Sequence, residues 1–284
     1  MRKYKEKIMG GVFFTAALTS ILAVLLICVF LFANGIPAMK KIGFVDFLLG
    51  TTWKPGNDIY GIFPMILGSI YVTAGAIIIG VPIGLLTAVF LAWYCPEKIY
   101  KVVKPAVELL AGIPSVVYGF FGMVMIVPTI RYNFGGTGSS ILAASILLGI
   151  MILPTIIGVS ESAIRAVPGS YYEGSLALGA THERSIFRAV LPAAKSGIFA
   201  GIILGVGRAI GETMAVIMVA GNQARVPNGI LKGVRTLTAN IVMEMGYAEG
   251  LHREALIATG VVLFVFILVI NLAFSIVKVR SNKE

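Results

Sequence analysis

Six runs of apolar residues, each long enough to cross a bilayer, constrain this chain more than any other feature. A membrane-spanning helix needs about 20 consecutive apolar residues. The runs lie near residues 11–33, 63–94, 108–130, 139–160, 197–220 and 255–277. Only 13% of the residues are charged, whereas soluble domains carry about 25%. We therefore predict an all-α polytopic membrane protein with six transmembrane helices.

The distribution of Lys and Arg predicts how these helices are oriented. The two terminal tails and the loops 95–107 and 161–196 together carry 14 of the 23 Lys and Arg residues, and the segments on the opposite side carry eight. Because cytoplasmic segments are enriched in these residues, we expect both termini in the cytoplasm. The same enrichment accounts for the net charge of +10, so we predict no nucleic-acid partner.

The sequence lacks the groups that an active site within the membrane would need. It contains no G-x-x-x-x-G-K-[ST] phosphate loop and no H-E-x-x-H motif. His182 and His252 lie in opposite loops, and Cys28 and Cys95 have no paired spacing. The residue counts do not exclude a nucleophilic serine, but the sequence places no base to activate one. We therefore predict no catalytic residue, no metal site and no cofactor, and expect a partner to supply any energy.

The fifth apolar run is unusual because it carries two opposite charges. Within the stretch GVGRAIGETMAVIMVAG lie Arg208 and Glu212, the latter being the only clearly buried carboxylate of the predicted spans. On a continuous helix one face would hold Gly197, Gly201, Gly205, Arg208, Glu212 and Ala215. The opposite face, expected to meet lipid, would hold Phe199, Ile203, Val206, Ile210 and Ile217. Arg208 would then lie about halfway through a hydrocarbon core of about 30 Å.

Two interpretations of these charges follow from the sequence. Because residues four apart on a helix are neighbours, Arg208 and Glu212 can form an ion pair that locks helix packing. Alternatively, both line a polar pathway in which the planar guanidinium donates two hydrogen bonds to an oxyanion. Glu212 would then pair with Arg208 when no anion is present, or it would couple transport to a proton. The pathway is favoured, because an apolar replacement for a buried ion pair is often neutral or stabilising.

The loop 161–196 has the pattern of two short helices. Ser170 and Glu173 have capping-box spacing at the start of the first helix, and Gly179 is expected to end that helix in a left-handed conformation. A second helix is predicted from Thr181 to Val190, stopping before Pro192. The pair would project from the cytoplasmic face, unless the loop is an ordinary amphipathic interfacial segment.

This loop resembles the "EAA" motif of bacterial ABC-importer permeases. The segments E-G-S-x-A-L-G-A and I-x-x-x-x-L-P match it, with Gly174 and Ser175 in place of two alanines. In that family the motif forms a coupling helix that docks in a groove of the ATP-binding subunit. The resemblance implies coupling roles for Glu173, Gly174, Ala177, Leu178, Gly179, Leu191 and Pro192.

A finer resemblance points to phosphate-specific importers. The segment GRAIGETMAV, Gly207–Val216, is similar to the signature of their PstC-type permease subunit. ELLAGIPSVVYG at 108–119 and FPMILGSIYVT at 63–73 fit the same subunit. In that family the residues matching Arg208 and Glu212 are associated with phosphate passage. Thr213, within the same signature, is included in the predicted substrate pathway.

The resemblance also implies an organisation and a set of partners. Residues 63–277 would form a MetI-like ABC-importer permease core with the coupling loop 161–196. Residues 1–62 would hold an N-terminal tail, the first helix and an extracellular loop, and 278–284 a cytoplasmic tail. The partners would be a PstA-type permease, forming a heterodimer, two PstB-type ATP-binding subunits and an extracellular PstS-type phosphate-binding protein. The assembly would lie among the lipids of a bacterial inner or plasma membrane.

Three other functions compete with an ATP-driven phosphate importer. A proton-coupled secondary anion carrier would use Glu212 as its proton site and would be expected to show an internal repeat of spans. No convincing repeat is visible in the sequence. An intramembrane enzyme lacks catalytic groups. A structural scaffold would leave transport unchanged when Arg208 is replaced.

Overall fold

The computed structural model describes the backbone of residues 2–281 and the side chains of residues 6 and 8–276. The side chains of the predicted tail 278–284, including Lys278, Arg280 and Lys283, and those of Arg2, Lys3, Lys5 and Lys7 lie outside the described residues. Within them, six helical segments are long and apolar enough to cross a membrane, matching the number of predicted spans. They are Ile8–Ile42, Phe63–Tyr94, Ser115–Phe134, Ile141–Arg165, His182–Gly211 and Gly250–Ile276.

The chain is almost entirely helical. The helices are α1 (Arg2–Ile42), α2 (Phe44–Leu49), α3 (Phe63–Val89), α4 (Glu97–Gly112), α5 (Ser115–Phe121), α6 (Val127–Phe134), α7 (Ile141–Arg165), α8 (Gly169–Ala177), α9 (His182–Ser185), α10 (Leu191–Gly211), α11 (Met214–Val219), α12 (Leu237–Glu244) and α13 (Gly250–Ser281). Turns of π-helix at Phe90–Tyr94, Gly122–Ile126 and Ile186–Val190 directly follow α3, α5 and α9. The strands β1 (Trp53–Lys54) and β2 (Ile59–Tyr60) pair antiparallel around a 3-10 turn at Pro55–Asn57.

The third span begins later than the sequence predicts. A single span over 108–130 was expected, but α4 ends at Gly112 and the backbone of Ile113 is extended, with ψ 126°. The ring of Pro114 disfavours a helical conformation in the residue before it, which explains the break. The span therefore starts at Ser115, and Glu108 lies on the separate helix α4 with an exposed side chain.

The core of the bundle is built around α7, which packs most extensively on α3 and α10. Its inward side chains Leu147, Met151, Ile152 and Ile156 are almost completely buried. At the edge of the bundle α1 packs against α13, and the apolar residues in the first half of α1 are exposed, as expected of a helix surrounded by lipid.

Glycines on α10 allow close approach to α7, as the sequence predicts. Gly201 faces Val159 and Ser160, and Gly205 lies directly over Ile156. Small residues at such crossings let helix backbones pack closely. The predicted lipid-facing side is partly wrong, because Val206 and Ile210 are buried. The reason is that α10 also contacts α3 and α13, which leaves less of its surface for lipid.

Replacing Gly205 by Leu is expected to lower the thermal unfolding midpoint of the detergent-solubilised protein. A Cβ at Gly205 would lie 2.9 Å from Cγ1 of Ile156, which is too close for a carbon–carbon contact. Overpacking of this kind costs about 1–3 kcal/mol. Gly207 on the same helix has no atom within 4 Å of its Cβ position, so Gly207→Leu is the matched control. Equal midpoints for the two variants would contradict this packing.

Residues 43–62 and 221–249 form a cap over the end of the bundle opposite the loop 166–181. The cap is held by Glu244, which accepts hydrogen bonds from Nε1 of Trp53 at 2.8 Å and from Arg235 at 2.5 Å. Nε2 of His252 lies 2.8 Å from the same carboxylate. These contacts join β1, β2, α12 and the start of α13 into one packed unit. Within this unit, burial, with the hydrogen bond and charge of Asp58, raises the pKa of Tyr60 to about 12.

Candidate functional site

The fifth span is broken where its two charges lie. Helix α10 ends at Gly211, the backbone of Glu212 is extended with ψ 132°, and α11 begins at Met214. The predicted continuous helix over 197–220 is therefore wrong at residues 212 and 213. The break has a local and a tertiary cause. Glycine weakens the helix at residue 211, and groups from other parts of the chain form hydrogen bonds with the backbone that the break leaves free.

The side chain of Glu212 starts the second half of the broken span. Its Oε1 accepts hydrogen bonds from the backbone N–H groups of Thr213, at 3.1 Å, and Ala215, at 3.2 Å. These donors have no partner within a helix, and a negative charge is favourable at that helix end. Glu212 is thus a cap for α11 rather than a member of one helical face with Arg208.

The carbonyl groups freed by the break receive side-chain hydrogen bonds. The hydroxyl of Thr213 donates to the carbonyl oxygen of Gly211 at 3.2 Å, and the buried hydroxyl of Thr238 on α12 donates to that of Glu212 at 3.1 Å. Within a membrane, non-helical backbone is tolerated only where protein buries it or where it lines a cavity. Breaks of this kind commonly form substrate sites in transporters.

Arg208 lies in the last turn of α10, where the helix dipole favours a cation. Its side chain is half-buried and faces α7, with one guanidinium nitrogen 3.5 Å from the hydroxyl of Thr155. At that distance the hydrogen bond is weak. The structure shows no ion pair between Arg208 and Glu212, so the packing lock considered from the sequence is absent. Most of the guanidinium's donor capacity is therefore available to an anion.

One side of the break faces open space. The Cβ positions of Gly207 and Gly211 have no described atom within 4 Å, and Gly211 itself is exposed. The flanking apolar side chains Leu204 and Met214 are 56% and 45% exposed. The predicted pathway residues thus lie beside a surface on which another chain or a solvent-filled path can lie.

At the other end of α10, about 30 Å away along the helix axis, the loop 166–181 projects from the bundle. Five of the predicted coupling residues are exposed there: Glu173, Gly174, Ala177, Leu178 and Gly179. Leu178 is 91% exposed, so its apolar side chain is available for contact with a partner. Leu191 instead packs on a buried cluster at the start of α10, and Pro192 is exposed beside it.

The end of α8 is a complete glycine cap, as the sequence predicts. Gly179 has a φ of 85°, in the left-handed region. Its N–H donates to the carbonyl of Leu176 at 2.8 Å, and the N–H of Ala180 donates to that of Ser175 at 3.2 Å. This pair of hydrogen bonds defines the Schellman motif.

Two predictions about this loop are wrong. The capping box of Ser170 and Glu173 does not form, because α8 begins already at Gly169 after Pro168. The second helix does not stop before Pro192 but continues from α9 through a π turn into α10. The wide π turn lies where the proline ring would otherwise clash with the carbonyl one turn earlier, which allows the helix to continue.

The buried carboxylate Glu161 was not predicted from the sequence, because the fourth span was expected to end at residue 160. It is 1% exposed and accepts hydrogen bonds from Tyr100 at 2.8 Å, Lys104 at 2.7 Å and Arg165 at 2.9 Å. Burial alone would lower the pKa of Lys104, but the hydrogen bond and charge of Glu161 outweigh burial and raise it. The cluster ties α4 to the end of α7. Among the residues whose side chains are described, no group of three His, Cys, Asp or Glu could hold a metal ion.

Comparison with known proteins agrees with this architecture. The model of the family described as "Binding-protein-dependent transport system inner membrane component" matches residues 80–283. The chain is 38% identical over 278 residues to the "Probable ABC transporter permease protein YqgH" of Bacillus subtilis, covering 94% of this chain and 90% of that protein. It is 34% identical over 260 residues to the "Phosphate transport system permease protein PstC" of Mesorhizobium japonicum, covering 84% of this chain and 79% of that protein.

A solved structure shows the same fold. It is described as "Inward facing conformations of the MetNI methionine ABC transporter", and it has a TM-score of 0.62 at 20% identity, covering 81% of this chain and 99% of that chain. The predicted fold, an all-α six-span protein with a MetI-like permease core, is confirmed. The family match also confirms the resemblance to ABC-importer permeases.

Proposed function

This chain belongs to the family of binding-protein-dependent transport system inner membrane components, and we propose that it is the PstC-type permease subunit of an ATP-driven importer of inorganic phosphate. The substrate follows from its similarity to the phosphate permease of Mesorhizobium japonicum and from the chemistry of the fifth span. The chain is a transporter subunit, not an enzyme.

The observation that carries the proposal is Arg208 at the helix break. A guanidinium with one weak hydrogen bond, placed beside broken backbone and open space, is suited to receive an oxyanion. Phosphate offers several acceptor oxygens to such a planar donor. Binding there must stay weak, since a transport pathway has to release its ion. Glu212 and Thr213 would shape the passage by fixing the start of α11.

The mechanism we propose is alternating access powered by another chain. The exposed residues of α8 around Leu178 would dock on an ATP-binding subunit, and ATP binding and hydrolysis there would move the loop. Because α9 continues through the π turn into α10, a movement of the loop acts directly on the helix that ends beside Arg208. The helical element from α9 to α10 thus connects the end of the docking loop with the break beside Arg208.

The proposed assembly accounts for the exposed surfaces of the chain. A PstA-type second permease would cover the open side of the break near Leu204 and Met214, so that the pathway runs between the two permeases. Two PstB-type subunits would hydrolyse ATP. With both termini cytoplasmic, the cap of residues 43–62 and 221–249 would be extracellular and face a PstS-type phosphate-binding protein. The charge distribution of the loops supports this orientation.

The alternative of a proton-coupled anion carrier has less support. It needs Glu212 as a proton site, but this carboxylate is engaged with two backbone N–H groups as a helix cap. Its role in the structure is therefore accounted for without proton transport.

Phosphate uptake into proteoliposomes tests the proposed function directly. The complex of this chain with its permease, ATP-binding and binding-protein partners is expected to accumulate labelled phosphate only when ATP is present on the nucleotide-binding side. A proton gradient without ATP is expected to drive none. Uptake driven by the proton gradient alone would instead establish the secondary carrier, and uptake of another anion in place of phosphate would correct the substrate.

A further inference from the structure

The loop 166–181 and the start of α9 contact the end of the second span through aromatic rings. The ring of Tyr172 on α8 lies 4.6 Å from that of Trp93, in the π turn Phe90–Tyr94. The hydroxyl of Tyr172 lies 2.7 Å from Nδ1 of His182, within hydrogen-bond distance. The His182 ring in turn lies edge-on to Tyr94, with centroids 5.2 Å apart. Four rings thus join α8, α9 and the second span.

Tyr172 is the main anchor of α8. The helix has no buried residue, and Tyr172 is its only side chain that packs against a buried apolar cluster. The cluster includes Ala88, Val89, Ile186 and Val190 from the second span and the π turn after α9. The Tyr172 ring is therefore a direct contact through which a force applied to the exposed side of α8 reaches the second span.

The receiving π turn is also held by the fourth span. Arg165 donates a 2.6 Å hydrogen bond to the carbonyl of Leu91 and pairs with the buried carboxylate of Glu161, which also binds Lys104 on α4. Turns of π-helix are uncommon and frequently lie at functional positions. The indole N–H of Trp93 is buried without a hydrogen-bond acceptor among the described residues.

We propose that Trp93, Tyr172 and His182 are positioning residues that transmit movement of the loop 166–181 to the second span. The Phe90–Tyr94 π turn receives this movement, and Arg165 passes it to α7 and α4. The inference rests on the proposed function, since it assumes that an ATP-binding subunit moves the loop. It adds a second route beside α10, so that two spans move together when the loop moves.

The test measures how many phosphate ions are imported per ATP hydrolysed by the complete complex in proteoliposomes. Trp93→Leu is expected to lower this ratio roughly twofold to tenfold, the range that loss of one aromatic pair supports. The ATP-binding subunit should still co-purify, because the exposed side of α8 is unchanged. Trp93→Phe should largely restore the ratio. Tyr172→Phe keeps the stack and loses the contact with His182, so a smaller decrease is expected.

Tyr132→Phe is the matched control, since Tyr132 lies near the end of the third span, outside the loop 166–181, with its side chain 91% exposed. Unchanged import per ATP in Trp93→Leu would overturn the proposal. So would loss of the ATP-binding subunit from both Trp93→Leu and Trp93→Phe, since that result assigns the rings to folding of the loop alone. Failure of the proposed function is distinguishable, because the unmodified complex would then import no phosphate.

Discussion

Replacement of Arg208 by Gln is expected to reduce phosphate uptake about 10- to 150-fold while leaving the complex assembled. The change removes the positive charge and the fork of N–H donors and leaves a shorter, uncharged polar side chain. Hydrogen bonds to charged groups contribute about 1.5–3 kcal/mol, which corresponds to this range. Assembly should survive, because the structure shows only one weak hydrogen bond from this guanidinium to Thr155. Uptake is measured in cells that lack their own importer and receive the partner subunits.

Two further variants distinguish passage of the anion from a general loss of charge. Arg208→Lys keeps the charge but loses bidentate geometry, so intermediate uptake is expected. Arg253→Gln removes an exposed positive charge at the start of α13 and is expected to leave uptake near normal. Normal uptake by Arg208→Gln would refute the pathway role and favour a structural scaffold. Reduced uptake accompanied by loss of the partner permease would assign Arg208 to assembly instead.

Replacement of Gly179 by Pro is expected to release the ATP-binding subunit from the detergent-solubilised complex. Proline cannot adopt the φ of 85° observed at this position, and it removes the N–H that bonds to Leu176. Together these losses cost about 2 kcal/mol or more, equivalent to about a 30-fold weaker association if the cap is required for docking. The exposed side chain of Leu178, next to the cap, would be displaced from its docking position.

Gly169→Ala, at the start of the same helix and outside the predicted coupling residues, is the matched control. The nearest atom to its Cβ position is Oε1 of Glu173 at 3.6 Å, an ordinary contact, and the backbone there is helical, so an added methyl group should be tolerated. Gly179→Asn should be milder than Gly179→Pro, because asparagine enters the left-handed region at low cost. Co-purification of the ATP-binding subunit is the measurement. An undiminished yield from Gly179→Pro would be incompatible with docking through α8.

The residues of the candidate site were conspicuous in the sequence, but their geometry was not. Arg208 and Glu212 were conspicuous because they are charges within an apolar run, and charges in membrane spans mark function. The ion pair considered as one interpretation of these charges assumed a continuous helix. The chain instead separates them across a break and assigns Glu212 to cap α11. The hydroxyl that satisfies the freed carbonyl comes from Thr238, 26 residues later, which no local pattern reveals.

The burial of Glu161 and the aromatic contact of Trp93 were also not predictable from the sequence alone. Glu161 lies one residue beyond the expected end of the fourth span, where a carboxylate is expected to belong to a loop. It is buried because α4 packs against α7. Trp93 lies at the end of an apolar run, where aromatic rings are common at a membrane interface. Its contact with Tyr172 depends on how the loop folds back, which hydropathy does not encode.

The sequence by itself determined the six spans, the left-handed end of α8 at Gly179 and the glycine face of α10. Each depends on a local property: the apolar length needed to cross a bilayer, the backbone freedom of glycine, or the helical period. The tertiary structure alone decided which side of α10 is buried, which carboxylates are paired and which groups stabilise the break in the fifth span. These outcomes depend on atoms far apart in the chain, because a broken or charged segment is stable in a membrane only where other helices satisfy it.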